Sequence, residues 1–201
     1  MITIHKLSEF IGRIFRGEDM VLVPQTKEQW ERQFVDGRWD RLQKGQANTT
    51  EIAQRISDYA DTKGGRIRVL DVGCGNGGLA HLIAQKVEYT GIDIAVSAIA
   101  SARALAPQGT FLVADAANPP EDLGVFDILV FNEVLYYLDP RAMLTRYRMY
   151  ASAGAQVYIS IVRFWRSPLL WRRIKQNLRL DKRFVAKDSV HRWDIAIGHF
   201  V

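Results

Sequence analysis

A chain of 201 residues, 48% apolar and 24% charged, is the size of one domain. It is long enough to bury about 70% of the surface that its unfolded form exposes, so neither disulfides nor a structural metal are needed to hold a core. One cysteine (Cys74) and four scattered histidines (His5, His81, His191, His199) exclude a disulfide scaffold and a clustered zinc site. No apolar run reaches the roughly 18 residues of a membrane span, and charge interrupts the first residues before a signal-peptide core can form, so a cytoplasmic protein without a transmembrane segment is expected.

The net charge of +5 is uneven. Residues 163–192 carry ten bases against two acids, while the remainder is mildly acidic. Such a basic segment attracts anions, and equally serves as a solvated helix face.

Ile4, Leu7, Ile11, Ile14 and Phe15 recur at helical spacing, giving an amphipathic helix that ends near Gly17. Thr26 and Gln29 have the spacing of a capping box, which starts a second helix and leaves a turn at VDGRWDRL. Thr49 or Thr50 is expected to cap a third. These segments, residues 1–48, form a helical cap on a core at 49–201, within one domain. From Arg66 short apolar runs alternate with helical patterns, which predicts an α/β fold with a doubly wound, mostly parallel sheet. Asp139-Pro140 and Ser167-Pro168 each place a capping residue before a proline at the first helical position. Extending the second of these helices through Leu178 aligns Arg172, Lys175 and Arg179 in a basic stripe. The final stretch adds an antiparallel hairpin at a sheet edge.

The most informative segment is VLDVGCGNGGLA, a strand that runs into Gly73, Gly75, Gly77 and Gly78 and then opens a helix. Glycines there let a ligand approach the backbone closely, and the helix N-terminus offers free N–H groups. GCGNGG fits both GxGxxG and GxGxG, so other residues must decide. Asp71 ends the strand before the loop, which favours a cationic ligand portion. Asp93 follows 22 residues later, where the second strand of a nucleotide-binding unit brings a carboxylate to ribose hydroxyls. Asp115 ends a third strand. Three strands finishing in aspartate line up along the carboxyl edge of the sheet, where open α/β folds bind ligands.

With LDVGCGNG, GIDI, VADA and FDILVFNEVLYYL as its four motifs, the chain resembles the class I S-adenosylmethionine-dependent methyltransferases over about residues 50–201. The resemblance implies a seven-stranded sheet and S-adenosylmethionine as cofactor. It places Gly73, Gly75 and Gly77 against the methionine portion, Asp93 on the ribose, Asp115 and Ala116 beside the adenine, Ile94 on the adenine face and Asn132 near the methionine amino group. EVLYYL also resembles the nodulation-factor N-methyltransferases, which act on an amino sugar. Small-molecule members often fold the segment before the first motif over the cofactor, which assigns Arg41 to the methionine carboxylate and Trp39 to the pocket cover, or else to the core. NPP at Asn118–Pro120 is followed by Glu121 and reads as a turn, not as a grip on a nucleobase amine.

Methyl transfer requires alignment of the nucleophile and, for a hydroxyl or ammonium, removal of a proton. Glu133 and Tyr137 are the candidate catalytic residues, sharing a face if the turn after Asn132 is helical, with Tyr136 against the substrate. His191, alone before the last strand, is read as a surface or core residue, and Cys74 as loop filler. Few residues remain after the fifth strand for a recognition domain, so the expected substrate is a small molecule, sugar-containing or anionic, methylated at oxygen or nitrogen, with no nucleic-acid partner. The competing readings are an NAD-dependent reductase, which would need Tyr-x-x-x-Lys where this chain has YYLDP, and a non-catalytic binding partner that keeps the fold.

Overall fold

The computed structural model describes residues 25–40, 45–165 and 167–201. The expected helix at Ile4–Phe15, and Arg41, lie outside the described residues. The elements are α1 (Lys27–Val35), α2 (Ala47–Thr62), β1 (Arg68–Val72), α3 (Gly78–Ile83), β2 (Glu88–Asp93), α4 (Val96–Leu105), β3 (Thr110–Val113), β4 (Phe126–Asn132), α5 (Pro140–Tyr147), β5 (Ala151–Val162), α6 (Ser167–Ile174), β6 (Leu178–Lys187) and β7 (Arg192–Phe200).

One seven-stranded sheet runs in the order β3-β2-β1-β4-β5-β7-β6. Its first five strands are parallel and β7 is antiparallel to both neighbours. Alternation along each strand divides the core between the two faces. Val69, Ile128 and Val130 pack with Ile52, Ile56 and Ile83 of α2 and α3, while Leu70, Leu129 and Phe131 pack with Leu144, Trp171 and Ile174 of α5 and α6. Burial on both faces explains why the strands read as continuous apolar runs. The strand order reverses between β1 and β4, which opens a crevice at their carboxyl ends.

The helix starts are partly as expected. Thr26 and Gln29 form a reciprocal capping box, and Asp139 Oδ1 accepts the N–H groups of Arg141 and Ala142. The third helix begins earlier than Thr49, with Gln46 as its N-cap. Thr49 falls in the first turn and is buried, so the boundary at 48/49 passes through α2. Ser167 turns its hydroxyl back to accept the Phe164 N–H at 2.8 Å.

The basic stripe is corrected. Helix α6 stops at Ile174, and Leu178 opens β6, so Arg179 lies on a strand opposite His199 and not one helical turn beyond Lys175. Ile174 and Leu178 are both buried and four apart, which mimics a helix, but β7 offers a ladder that the chain joins from Leu178 onward. The expected edge hairpin is present, and β6 is its outer strand. Exposed Arg179, Lys182, Arg183 and Lys187 cover that edge with charge, which discourages pairing with other chains.

Gly77 is the tightest point of the loop. It has φ +85°, and a Cβ there would stand 2.9 Å from the Ala102 Cα. Gly77→Ala is expected to cost about 2–4 kcal/mol through left-handed strain and overpacking, lowering the melting temperature by roughly 4–15 °C in a calorimetric scan.

Candidate active site

The crevice forms a cleft of about 260 Å³. Its floor is the loop after β1. Backbone N–H groups of Gly73 and Cys74 donate to the Ile92 carbonyl at 2.8 and 3.0 Å, and the Gly75 N–H donates to Asp93 Oδ2 at 3.0 Å. Gly73 (φ +74°) and Gly75 (φ +54°) adopt backbone that side-chain-bearing residues rarely take. Both line the cleft, together with Asp93, Ile94, Asp115 and Ala116 from the ends of β2 and β3. Asp93 Oδ1 also accepts the Ala95 N–H at 3.0 Å, and Asp115 Oδ1 accepts the Ala117 N–H at 2.8 Å. Burial raises the Asp93 carboxyl above its ordinary pKa despite these bonds. Asn118 closes the NPP turn by donating to Asp115 Oδ2.

Asp71 and Gly77 do not line the cleft. Asp71 is buried beneath the loop, where it accepts a 2.5 Å hydrogen bond from the Tyr89 hydroxyl, and burial pushes its carboxyl up to about 7. Gly77 backs onto α4 instead of facing a ligand. Cys74 is buried, with its Sγ towards the Gly75 carbonyl.

Asn132 reaches the cleft with both amide atoms engaged. Its Oδ1 accepts from Asn48 at 2.8 Å and its Nδ2 donates to Thr49 Oγ1 at 3.1 Å. Glu133 follows with φ +61°, an unusual conformation for a side-chain-bearing residue. The turn after Asn132 is therefore not helical, and Glu133 and Tyr137 do not share a helix face. Both still line the cleft. Glu133 Oε2 accepts from the Tyr136 hydroxyl at 2.9 Å and Oε1 from Ser160 at 3.3 Å. Burial lifts the carboxyl to about 7, against the hydrogen bonds of Tyr136, Trp193, Ser160 and the Val162 backbone.

Aromatic rings form the opposite wall. Trp30 meets Tyr137 edge to face at 4.7 Å, Tyr137 meets Tyr136 at 4.6 Å, and Trp39 lies 6.3 Å from both Trp30 and Phe34. Trp39 is fixed through its carbonyl, which accepts from Asn76 at 2.8 Å. Trp30 and Phe34, four apart on α1, carry a sequence signal that went unread. His191 and Trp193 also line the cleft, brought there by the β6–β7 hairpin, so His191 belongs to the site wall.

Residues 69–153 match the model of a methyltransferase domain. The match spans less than half of the chain, and the chain shares its fold with solved methyltransferases. The chain is 34% identical over 112 residues to the ubiquinone biosynthesis O-methyltransferase of Bordetella avium (strain 197N). The match covers 52% of the chain and 46% of that protein, so the chain spans about half the length of this curated relative. In fold it is similar to the magnesium protoporphyrin IX methyltransferase of Synechocystis PCC 6803 with bound S-adenosylmethionine (TM-score 0.67, 18% identity, covering 86% of this chain and 95% of that one). It is also similar to the N-methyltransferase NodS of Bradyrhizobium japonicum WM9 with S-adenosylhomocysteine (TM-score 0.66, 17% identity, 80% and 90% covered). The cofactor of this class is S-adenosylmethionine. Among the described residues no helix is long and apolar enough to cross a membrane.

The raised carboxyls give stability a pH dependence. Folded Glu133 holds its proton up to about 7, whereas the unfolded residue releases it near 4.5. Folding thus binds a proton in between, and stability falls as pH rises through that window and then levels. Asp71 adds a fall of the same sign. Glu133→Gln removes one contribution, on the order of 1–3 kcal/mol. Thermal melts at pH 5 and pH 8 should show a smaller drop for the variant than for the parent.

Proposed function

We propose that this protein is a methyltransferase that moves a methyl group from S-adenosylmethionine to an oxygen or nitrogen of a small molecule. The observation that carries the reading is Asp93, a half-buried carboxylate at the tip of β2 that lines the cleft and is joined to the glycine loop through the Gly75 N–H. Each Asp93 oxygen receives one backbone N–H, and a carboxylate has about four acceptor positions, so capacity remains for two ribose hydroxyls. Near Gly75 a Cβ would meet only the edge of the Phe34 ring, at 3.7 Å, which leaves room for a ligand against the backbone. The residues present therefore fit the cofactor. Gly73 and Gly75 would bear on its methionine portion, Asp93 on the ribose, and Ile94, Asp115 and Ala116 on the adenine.

When bound, S-adenosylmethionine supplies an electrophilic methyl group on a cationic sulfur. The chain's own residues position the acceptor against it and exclude water. Trp30, Phe34, Trp39, Tyr136 and Tyr137 wall the cleft and keep it apolar. Glu133, with a pKa near neutrality, is suited to receive a proton from the acceptor, and Tyr137 flanks it through Tyr136. Asn132 holds the tip of β4 in place through Asn48 and Thr49, and its amide keeps one donor and one acceptor position for the methionine portion. The apolar, aromatic-walled cleft supports a small-molecule substrate, and the basic residues of β6 lie on the sheet edge, outside its walls.

Calorimetry with S-adenosylhomocysteine should give one site per chain and no competition from NADH. Asp93→Ala is expected to weaken that binding by about 2–4 kcal/mol, roughly 30-fold to 1,000-fold, since bonds from a charged group to hydroxyls are each worth about 1.5–3 kcal/mol and do not add fully. Binding of NADH without S-adenosylhomocysteine would return the reading to a reductase.

A further inference from the structure

Every ionisable side chain that lines the cleft among the described residues is an acid, a tyrosine or a histidine: Asp93, Asp115, Glu133, Tyr136, Tyr137 and His191. With Asp93 and Asp115 given to the cofactor, Glu133 is the acid left on the acceptor side. Its surroundings supply hydrogen bonds without charge, from two hydroxyls, an indole and a backbone N–H. A carboxyl withdrawn from water keeps its proton unless a cation arrives to pair with it. Beside it stand Tyr136, Tyr137 and Trp30, whose ring faces carry the partial negative charge that draws cations.

We propose that the acceptor is a protonated amine, whose ammonium is the counter-charge of Glu133 and rests against the rings of Tyr136, Tyr137 and Trp30. This rests on the methyltransferase reading of the same cleft and selects nitrogen over oxygen. The exposed bases of β6 do not oppose it, since none of them lines the cleft: Arg179 pairs with Asp181, and the Arg183 guanidinium lies over the Trp171 ring. An anionic substrate would meet Glu133 and the ring faces with no lysine or arginine among the described residues that line the cleft.

The chemistry balances. The ammonium passes one proton to Glu133, its N–H bond breaking as an O–H bond forms. The nitrogen lone pair then takes the methyl carbon as the S–C bond breaks, and that bond's electron pair stays on sulfur. The N-methylated product leaves as a cation, and Glu133 gives its proton to solvent.

The sulfonium of the cofactor would also be drawn to these rings, so the test uses the protein saturated with S-adenosylhomocysteine, whose sulfur is neutral. Three probes of similar size are titrated into that complex: benzyltrimethylammonium, its uncharged isostere neopentylbenzene, and phenylacetate. Benzyltrimethylammonium should bind at least about tenfold more tightly than neopentylbenzene, with phenylacetate weakest. Glu133→Gln should abolish most of that preference while leaving affinity for neopentylbenzene and for S-adenosylhomocysteine as in the parent. As a second readout on the unmodified protein, labelled methyl from S-adenosylmethionine should reach benzylamine and not benzyl alcohol. Equal binding of the cation and its isostere, a preference that survives Glu133→Gln, or transfer to benzyl alcohol alone would overturn the amine. If S-adenosylhomocysteine itself fails to bind the parent protein, the methyltransferase reading falls, and the amine with it.

Discussion

The hydrogen bond from the Gly75 N–H to Asp93 Oδ2 joins the loop after β1 to the end of β2, and the cleft takes its shape from that link. It works because the parallel register sets Asp71 beside Gly91 and carries β2 on to Asp93, just past the loop. Gly73 and Cys74 add two more N–H bonds to the Ile92 carbonyl, so three consecutive residues of the loop are tied to the tip of the neighbouring strand. Positive φ at Gly73, Gly75 and Gly77 makes the tight path possible. The glycines nevertheless have different tasks: Gly73 and Gly75 line the cleft, while Gly77 lets α3 and α4 come together.

On the other side of the switch point, side-chain polar groups do what backbone does in the loop. Asn48 at the start of α2 donates to Asn132 and to Ser160, Thr49 accepts from Asn132, and Ser160 donates to Glu133. Residues far apart in sequence are thereby locked to one point above β4 and β5. The unusual backbone of Glu133 costs of order 1 kcal/mol or more and persists because this network over-determines it. Strain of that kind, at a carboxylate facing a cleft, is expected where a side chain is aimed at a ligand.

Much of this was legible in the sequence because it follows from local chemistry. Continuous apolar runs identified strands buried on both faces, and Asp93 and Asp115, after β2 and β3, marked the sheet edge where the cleft opens. Asp71 was misread for a physical reason: the sequence shows its place at a strand end but not that Tyr89, from the next strand, reaches under the loop to bind it. Leu178 stands four residues after Ile174, so the same pattern served a longer helix until β7 supplied a partner strand. The turn after Asn132 was taken as potentially helical because nothing in EVLYYL announces the left-handed Glu133; that conformation is set by Ser160, 27 residues away. Trp30 and Phe34 share a face of α1 through their spacing, whereas His191 and Trp193 reach the cleft only through the packing of the β6–β7 hairpin.

The claim on which the rest depends is that Asp93 and the glycine loop together form the cofactor seat. A crystal structure of the protein grown with S-adenosylhomocysteine measures this most directly. The account predicts both ribose hydroxyls within hydrogen-bonding distance of the Asp93 carboxylate, the methionine portion against Gly73 and Gly75, and the sulfur turned towards Glu133 and Tyr137. Ligand density elsewhere, or a ribose that makes no contact with Asp93, would contradict it.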